Sequence, residues 1–283
     1  VDEGHFADGT CAADLDGDGR IEIVSGHAWY HAPAGGALSG PWERRVFAPN
    51  FREMCRTTAL DITGNGRPDI VISEAEYFRG LLCWFENRLG EAGGPWVEHR
   101  LMDDLTYAHS LASWRGERGA HFFVAEMASG GWDAPYNYDA RLLEFVTRDN
   151  GANWERKLIY RGAGTHEAVP FDLDGDGRLE IAGKEWKYPK VQLFRRREKP
   201  SKLSQFQHRL IDRDKPYTAT DIFAMNVSAS VANDTRSGAN DIVCGAWWYE
   251  NGGWQRRRIP GIYQAHCAYD IDGDGRDEII ATR

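Results

Sequence analysis

Short runs in which apolar and polar residues alternate, the period of a half-buried strand, return throughout this chain of 283 residues. Runs opening on an aromatic make the spacing plain. Trp42 (WERRVF), Trp96 (WVEHRLM), Trp154 (WERKLIY), Phe206 (FQHRLI) and Trp254 (WQRRRI) follow one another at roughly fifty residues. Upstream of each lies a second aromatic run, at Trp29-Tyr30, Trp84-Phe85, Phe145, Phe194 and Trp247-Trp248-Tyr249. Two further runs precede these, parted by a Gly- and Asp-rich loop, as before Ile21-Glu22-Ile23-Val24 and Pro68-Asp69-Ile70-Val71-Ile72. Each period therefore predicts four strands, A to D, with an acidic loop between A and B. No apolar stripe at helical spacing competes. Four-stranded units at this period predict an all-β chain folded as a β-propeller.

The A–B loop is the most specific chemical signal. Its copies are Asp14-Leu15-Asp16-Gly17-Asp18-Gly19-Arg20-Ile21-Glu22, Asp172 to Glu180 and Asp270 to Glu278, with a softer one from Asp61 to Asp69. Oxygen side chains at positions 1, 3, 5 and 9, with a carbonyl at 7, make a cage for a hard cation, Ca2+ above all. The predicted ligands are Asp14, Asp16, Asp18, Arg20 (carbonyl) and Glu22; Asp61, Thr63, Asn65, Arg67 (carbonyl) and Asp69; Asp172, Asp174, Asp176, Arg178 (carbonyl) and Glu180; and Asp270, Asp272, Asp274, Arg276 (carbonyl) and Glu278. Glycines at positions 4 and 6 allow the positive-φ turns that bring these oxygens inward. An EF-hand would need helices on both sides and a bidentate Glu at position 12; here the flanks are strands. Two units, around Trp114 (WRGERGAHF) and Asn233 (NDTRSGAND), keep the turn glycine without the ligands and predict metal-free hairpins.

The DxDGDGxxD/E loops at this period resemble the FG-GAP/VCBS repeat propellers, the group that includes integrin α-subunit heads, fungal lectins and several sugar lyases. The resemblance spans the chain and implies fold rather than activity. It also implies a parent of seven blades. Val1 to Gly4 align with the middle of a strand D, and Arg283 follows a strand B, so the chain reads as five full units with two broken edges of a longer protein that can carry flanking domains.

A hydrophobic content of 42% is ample for a large core, read as a single domain over 1–283. The net charge of −9 argues against nucleic acid as a partner, and no apolar run approaches a membrane span. Cys11, Cys55, Cys83, Cys244 and Cys267, an odd number without a CxxC, read as small buried core residues. Calcium loops of this kind suit an extracellular or periplasmic protein.

The repeat places equivalent residues on one face. The D–A connections, nearest the propeller axis, carry His109 thirteen residues after Trp96, His166 twelve after Trp154 and His266 twelve after Trp254, with Arg56 fourteen after Trp42. Tyr107, Glu167 and Tyr263 accompany them. The B–C connections add His27, Glu74, Glu126, Glu185, Trp186 and Trp247, and a long insertion brings Trp132. Aromatic rings stack on pyranose faces while polar groups bond hydroxyls, so this face predicts a carbohydrate ligand or substrate. A closer resemblance, to propeller-type sugar lyases and dehydratases such as fungal aldos-2-ulose dehydratase, rests on His109, His166-Glu167, His266 and WYENGGW at 248–254.

That resemblance implies a lyase or dehydratase acting by β-elimination. His166 or His109 would be the base, Arg56 the clamp on the developing enolate, and Tyr107 or Tyr263 the acid. A variant has His109, His166 and His266 holding Zn2+ or another divalent ion. Two alternatives remain at this point: a non-catalytic lectin-like or integrin-like binding module, and glycoside hydrolysis by a pair among Glu74, Glu126, Glu167 and Glu185.

Overall fold

The computed structural model describes residues 5, 7–92, 94–117, 119–129, 135–196, 206–214, 221–227, 240–272 and 277–283. Trp132, Asp274, Arg276, the Val1–Gly4 segment and the loop around Asn233 lie outside the described residues. The chain divides into two compact units, Val1–Gly164 and Thr165–Arg283.

The first unit holds three four-stranded antiparallel sheets, each in simple sequence order. They are β1 (Thr10–Ala13), β2 (Glu22–Ser25), β3 (Ala28–His31) and β4 (Glu43–Val46); β5 (Cys55–Leu60), β6 (Asp69–Glu74), β7 (Phe78–Asn87) and β8 (Trp96–Thr106); and β9 (Ser110–Gly116), β10 (Gly119–Ala125), β11 (Arg141–Thr147) and β12 (Glu155–Arg161). The second unit holds two more. These are β13 (Glu167–Phe171), β14 (Glu180–Lys184), β15 (Val191–Arg196) and β16 (Phe206–Asp212), and β17 (Ile222–Met225), β18 (Asp241–Cys244), β19 (Trp247–Tyr249) and β20 (Arg256–Arg258). A hairpin of β21 (Gln264–Tyr269) and β22 (Glu278–Thr282) follows. The described elements are thus all strands, in the four-strand, blade-like units that the fifty-residue period predicts.

Within each unit, first strands touch first strands: β1 meets β5, β5 meets β9, β13 meets β17 and β17 meets β21. Apolar side chains fill the space between successive sheets. Between the first two, Leu15, Val24 and Trp29 pack with Ile70, Ile72 and Phe85. Between the second and third, Val71, Leu82 and Trp84 meet Phe122, Val124 and Phe145. The strand-C aromatics Trp29 and Trp84 are each 2% exposed and serve as core. β6 is buried along its whole length because sheets cover both its faces, so its central Ile70-Val71-Ile72 run is continuously apolar rather than alternating.

The cysteines correct one expectation. Cys55, Cys83 and Cys244 are buried and Cys11 is partly so, but Cys267 is exposed. It lies on the β21–β22 hairpin beside exposed Tyr269 and Ile280, where no four-stranded sheet forms among the described residues. Burial pushes the Cys11 thiol up to about 11, which leaves it unreactive at neutral pH.

Candidate functional site

In every acidic loop the position-9 carboxylate is the first residue of strand B: Glu22, Asp69, Glu180 and Glu278 open β2, β6, β14 and β22. Each accepts a hydrogen bond from the position-2 amide. Leu15, Ile62 and Ile271 donate at 2.8 Å and Leu173 at 3.0 Å. Position 1 caps the glycines: Asp14 accepts from Gly17 and Gly19, Asp61 from Gly64 and Gly66, and Asp172 from Gly175 and Gly177. Position 5 accepts from position 7 (Asp18 from Arg20, Asn65 from Arg67, Asp176 from Arg178). Gly17 and Gly19 have φ of 77° and 85°, and the equivalent glycines match them, as the turn requires.

This geometry draws Asp14, Asp16 and Asp18 together, and likewise Asp172, Asp174 and Glu180, and Asp270, Asp272 and Glu278. Within each set the ligand atoms lie within 4.8 Å of one another. Burial pushes the Glu22, Asp69 and Glu180 carboxyls above the usual carboxylate range. Two buried oxygens, Glu22 Oε1 and Thr63 Oγ1, have no hydrogen-bond partner. Buried carboxylates crowded by the acidic groups of their own loop, with oxygens turned inward, fit a divalent cation of the calcium class. Asp241 opens β18 after the loop that lacks the other ligands, and still accepts from the Asn251 amide at 2.8 Å. Position 9 therefore has a structural task that does not depend on metal.

On the opposite edge, strand register refines the repeat. Aligning each strand A on its strand B places Asp8, Cys55, His109, His166 and Tyr263 at one position, at or just before the start of strand A. Gly9, Arg56, Ser110, Glu167, Asp221 and Gln264 share the next. Counting from the strand-D aromatic groups His266 with His109 and His166; the structure corrects this, because Tyr263 holds that register position and His266 falls three residues on, as the extra residue of a β-bulge between Ala265 and Cys267. Arg56 likewise stands one position beyond the histidines.

In the first unit this edge gathers an ionisable cluster. The Asp8 and His109 side chains meet at 2.7 Å (Oδ2 to Nε2), and Glu76 Oε1 lies 3.5 Å from the same ring nitrogen. The His109 side chain is 3% exposed, against 19% for Asp8 and 26% for Glu76. Arg56 Nη1 donates to the Asp8 carbonyl at 2.6 Å. Burial holds the Glu76 carboxyl above its usual range, and although His109 draws it down, neighbouring Asp8 pushes it up again. Tyr107 is buried, with φ of 56° and a hydroxyl pushed up by burial and by Glu76. A bulky residue in the left-handed region is uncommon. The Tyr107 backbone is fixed there by three bonds: its amide donates to Tyr77 O, and its carbonyl accepts from the His109 and Met127 amides.

In the second unit His166 Nδ1 lies 2.8 Å from Nζ of Lys184, whose side chain is fully buried. An ammonium only donates, so the ring nitrogen facing it accepts, and a neutral His166 carries its proton on Nε2. Trp186 stacks on His166 with centroids 6.0 Å apart; both rings are partly exposed. Glu167 is partly exposed and pairs across the sheet with Lys184. Farther along, Asp221 Oδ2 bonds Gln264 Nε2 at 2.7 Å and His266 Nδ1 at 2.9 Å. Tyr263 is 74% exposed, and its amide donates to Thr282 O.

Several B–C residues expected to meet a ligand serve the sheets instead. Glu74 accepts four hydrogen bonds, from the Arg52 and Leu81 amides and from Nε and Nη2 of Arg52. Glu126 also accepts four, from the Thr106 amide and from the amide, Nε and Nη2 of Arg141. Four bonds fill a carboxylate's lone-pair sites, and both residues are 2% exposed, so neither is left for a sugar or for hydrolysis. His27 Nε2 faces Arg44 Nη2 at 3.1 Å, and burial together with that guanidinium lowers its pKa. Trp247 lies in β19 rather than in the connection, and the guanidinium groups of Arg256 and Arg258 lie 5.0 and 5.4 Å from its ring centre. Glu185 is buried, its amide bonded to Lys190 O.

Sequence reasoning missed Asp8, Glu76, Lys184 and Asp221. Only register and burial reveal them: Asp8 shares the histidine position, and Lys184 is a fully buried lysine at the end of β14. Comparison with protein-family models and with curated proteins gives no match for the chain.

Proposed function

We propose that the chain is a calcium-stabilised β-propeller that acts on carbohydrate as a lyase or dehydratase. The observation that carries this reading is the Asp8–His109–Glu76 cluster, in which one imidazole lies against two carboxyl groups and one of these is held above the ordinary carboxylate range. Groups whose environments separate their proton affinities divide into an acid and a base. The Asp8–His109 pair takes the proton α to a substrate carbonyl or carboxyl. Glu76, whose carboxyl burial inclines toward the protonated form, gives one to the leaving oxygen as the Cβ–O bond breaks and the C=C bond forms. Arg56, tied to the Asp8 backbone, supplies positive charge for the enolate. The partly exposed Trp186–His166 pair offers a planar surface for a pyranose in the second unit. The loops hold Ca2+ and brace the A–B hairpins, which suits an exported protein.

A second reading, a non-catalytic carbohydrate-binding propeller, is favoured by the near-complete burial of His109. Glu76→Gln and Asp8→Asn separate the two. Loss of turnover with sugar affinity and melting temperature unchanged supports the enzyme; wild-type protein that binds sugar and turns none over supports the binding module.

A further inference from the structure

The acidic loop of the first sheet differs from the others in the residue that faces it. In register, the strand-C residue opposite position 9 is His31 in the first sheet, Glu86 in the second and Arg195 in the fourth. Arg195 ion-pairs with Asp174 and lies 3.8 Å from Glu180, so a guanidinium sits against the position-3 and position-9 carboxylates of its own loop. His31 faces the same pair in the first sheet: its Nδ1 lies 3.4 Å from Asp16 Oδ2 and 3.3 Å from Glu22 Oε1. Neither Nδ1 of His31 nor Oε1 of Glu22 makes a hydrogen bond, although both atoms are buried and the Glu22 side chain is 0% exposed. Unpartnered polar atoms at such depth are costly, and here two of them point at one another.

We propose that Asp16, Glu22 and His31 form a site for a transition-series divalent ion of the zinc class, which takes the place of Ca2+ in the first loop, whose Asp16 and Glu22 it shares, while the other loops keep all-oxygen ligand sets. Their three ligand atoms lie within 4.8 Å of one another. Two ligands bound tetrahedrally at about 2.0–2.1 Å stand about 3.3 Å apart, the spacing that Nδ1 of His31 keeps from each carboxylate oxygen. Imidazole nitrogen suits zinc, nickel or copper, whereas calcium and magnesium take oxygen. Glu22 is held from behind by the Leu15 amide, which fixes the carboxylate with Oε1 toward His31. The Asp16 and His31 side chains are 26% and 24% exposed, leaving a path for the ion and a coordination position for water. This site is independent of the reaction proposed above.

The test is titration of the full chain with Zn2+ in saturating Ca2+, read by competition with a chromogenic chelator. One Zn2+ is expected to bind under these conditions. His31→Gln should weaken it by at least the roughly 10–100-fold that even an outer-shell partner contributes. His31→Arg, which copies the place of Arg195, should abolish zinc binding while the chain stays folded by circular dichroism. Zinc affinity unchanged in both variants, or no zinc bound by the wild type, overturns the proposal and leaves His31 as an ion-pair partner of the loop.

Discussion

Asn87 Nδ2 donates to the carbonyl of Leu15 at 2.7 Å, joining the end of β7 to the acidic loop of the preceding sheet. The same amide group donates to Pro68 O, its oxygen accepts from the Leu89 amide, and its own amide donates to Asp69 Oδ1. In the second unit Asn251 repeats this by donating to Leu173 O and Asn240 O. The Asn of each WxEN run is therefore a staple between successive sheets, anchored on position 2 of one loop and position 9 of the next. Asn87→Ala leaves buried carbonyls without donors and should cost about 2–3 kcal/mol, measured by chemical denaturation; Asn87→Asp should recover none of it.

Chelation should act on stability before activity. The buried position-9 carboxylates are crowded by the other acidic groups of their own loops, so Ca2+ should raise the melting temperature with a concentration dependence set by mass action. Glu180→Gln can keep the bond from the Leu173 amide yet loses the charge. The variant should therefore melt close to the wild type in chelator and show a smaller rise in calcium. A calcium-independent melting temperature in the wild type would contradict the cage.

Gly177 has φ of 80°, with no atom close enough for an added Cβ to touch. Gly177→Ala should therefore cost about 1 kcal/mol from backbone conformation alone, with a matching loss of calcium affinity, measurable by isothermal titration calorimetry.

Glu74 sets an acid limit on the first unit. Burial opposes its ionisation, but the hydrogen bonds from Arg52 and Leu81 outweigh that and hold its carboxyl below the usual range. A depressed folded-state pKa gives stability that is present above the unfolded value, about 4.3, and is lost as pH falls through the folded one. Arg52 is 42% exposed, so solvent screens the pair. Glu74→Gln should cost about 1–3 kcal/mol at neutral pH and progressively less below pH about 4. A cost that stays constant into acid would assign the effect to packing.

The four-strand units and the loops were legible because both repeat. Alternation marks strands, and position 9, turn glycines and capping carboxylates recur at fixed spacing. The inner edge was harder to read. Residue counting aligned His266 with His109 and His166 because the connection after Trp254 is shorter than its counterparts, which nothing in composition marks. Asp8 escaped because no full strand precedes it to set the count. Glu74 and Glu126 looked like ligand carboxylates because the arginines that saturate them, Arg52 and Arg141, lie fifteen to twenty-two residues away and are identified only by pairing.

The most direct measurement is product analysis after the calcium-loaded chain is incubated with a panel of uronate-containing glycans and ketose or aldosulose sugars. The account predicts a product with a new ultraviolet-absorbing C=C bond, formed without hydrolytic water at the cleaved bond, and lost in Glu76→Gln at unchanged melting temperature. Saturated products carrying that water, or sugar binding with no product at all, would contradict it.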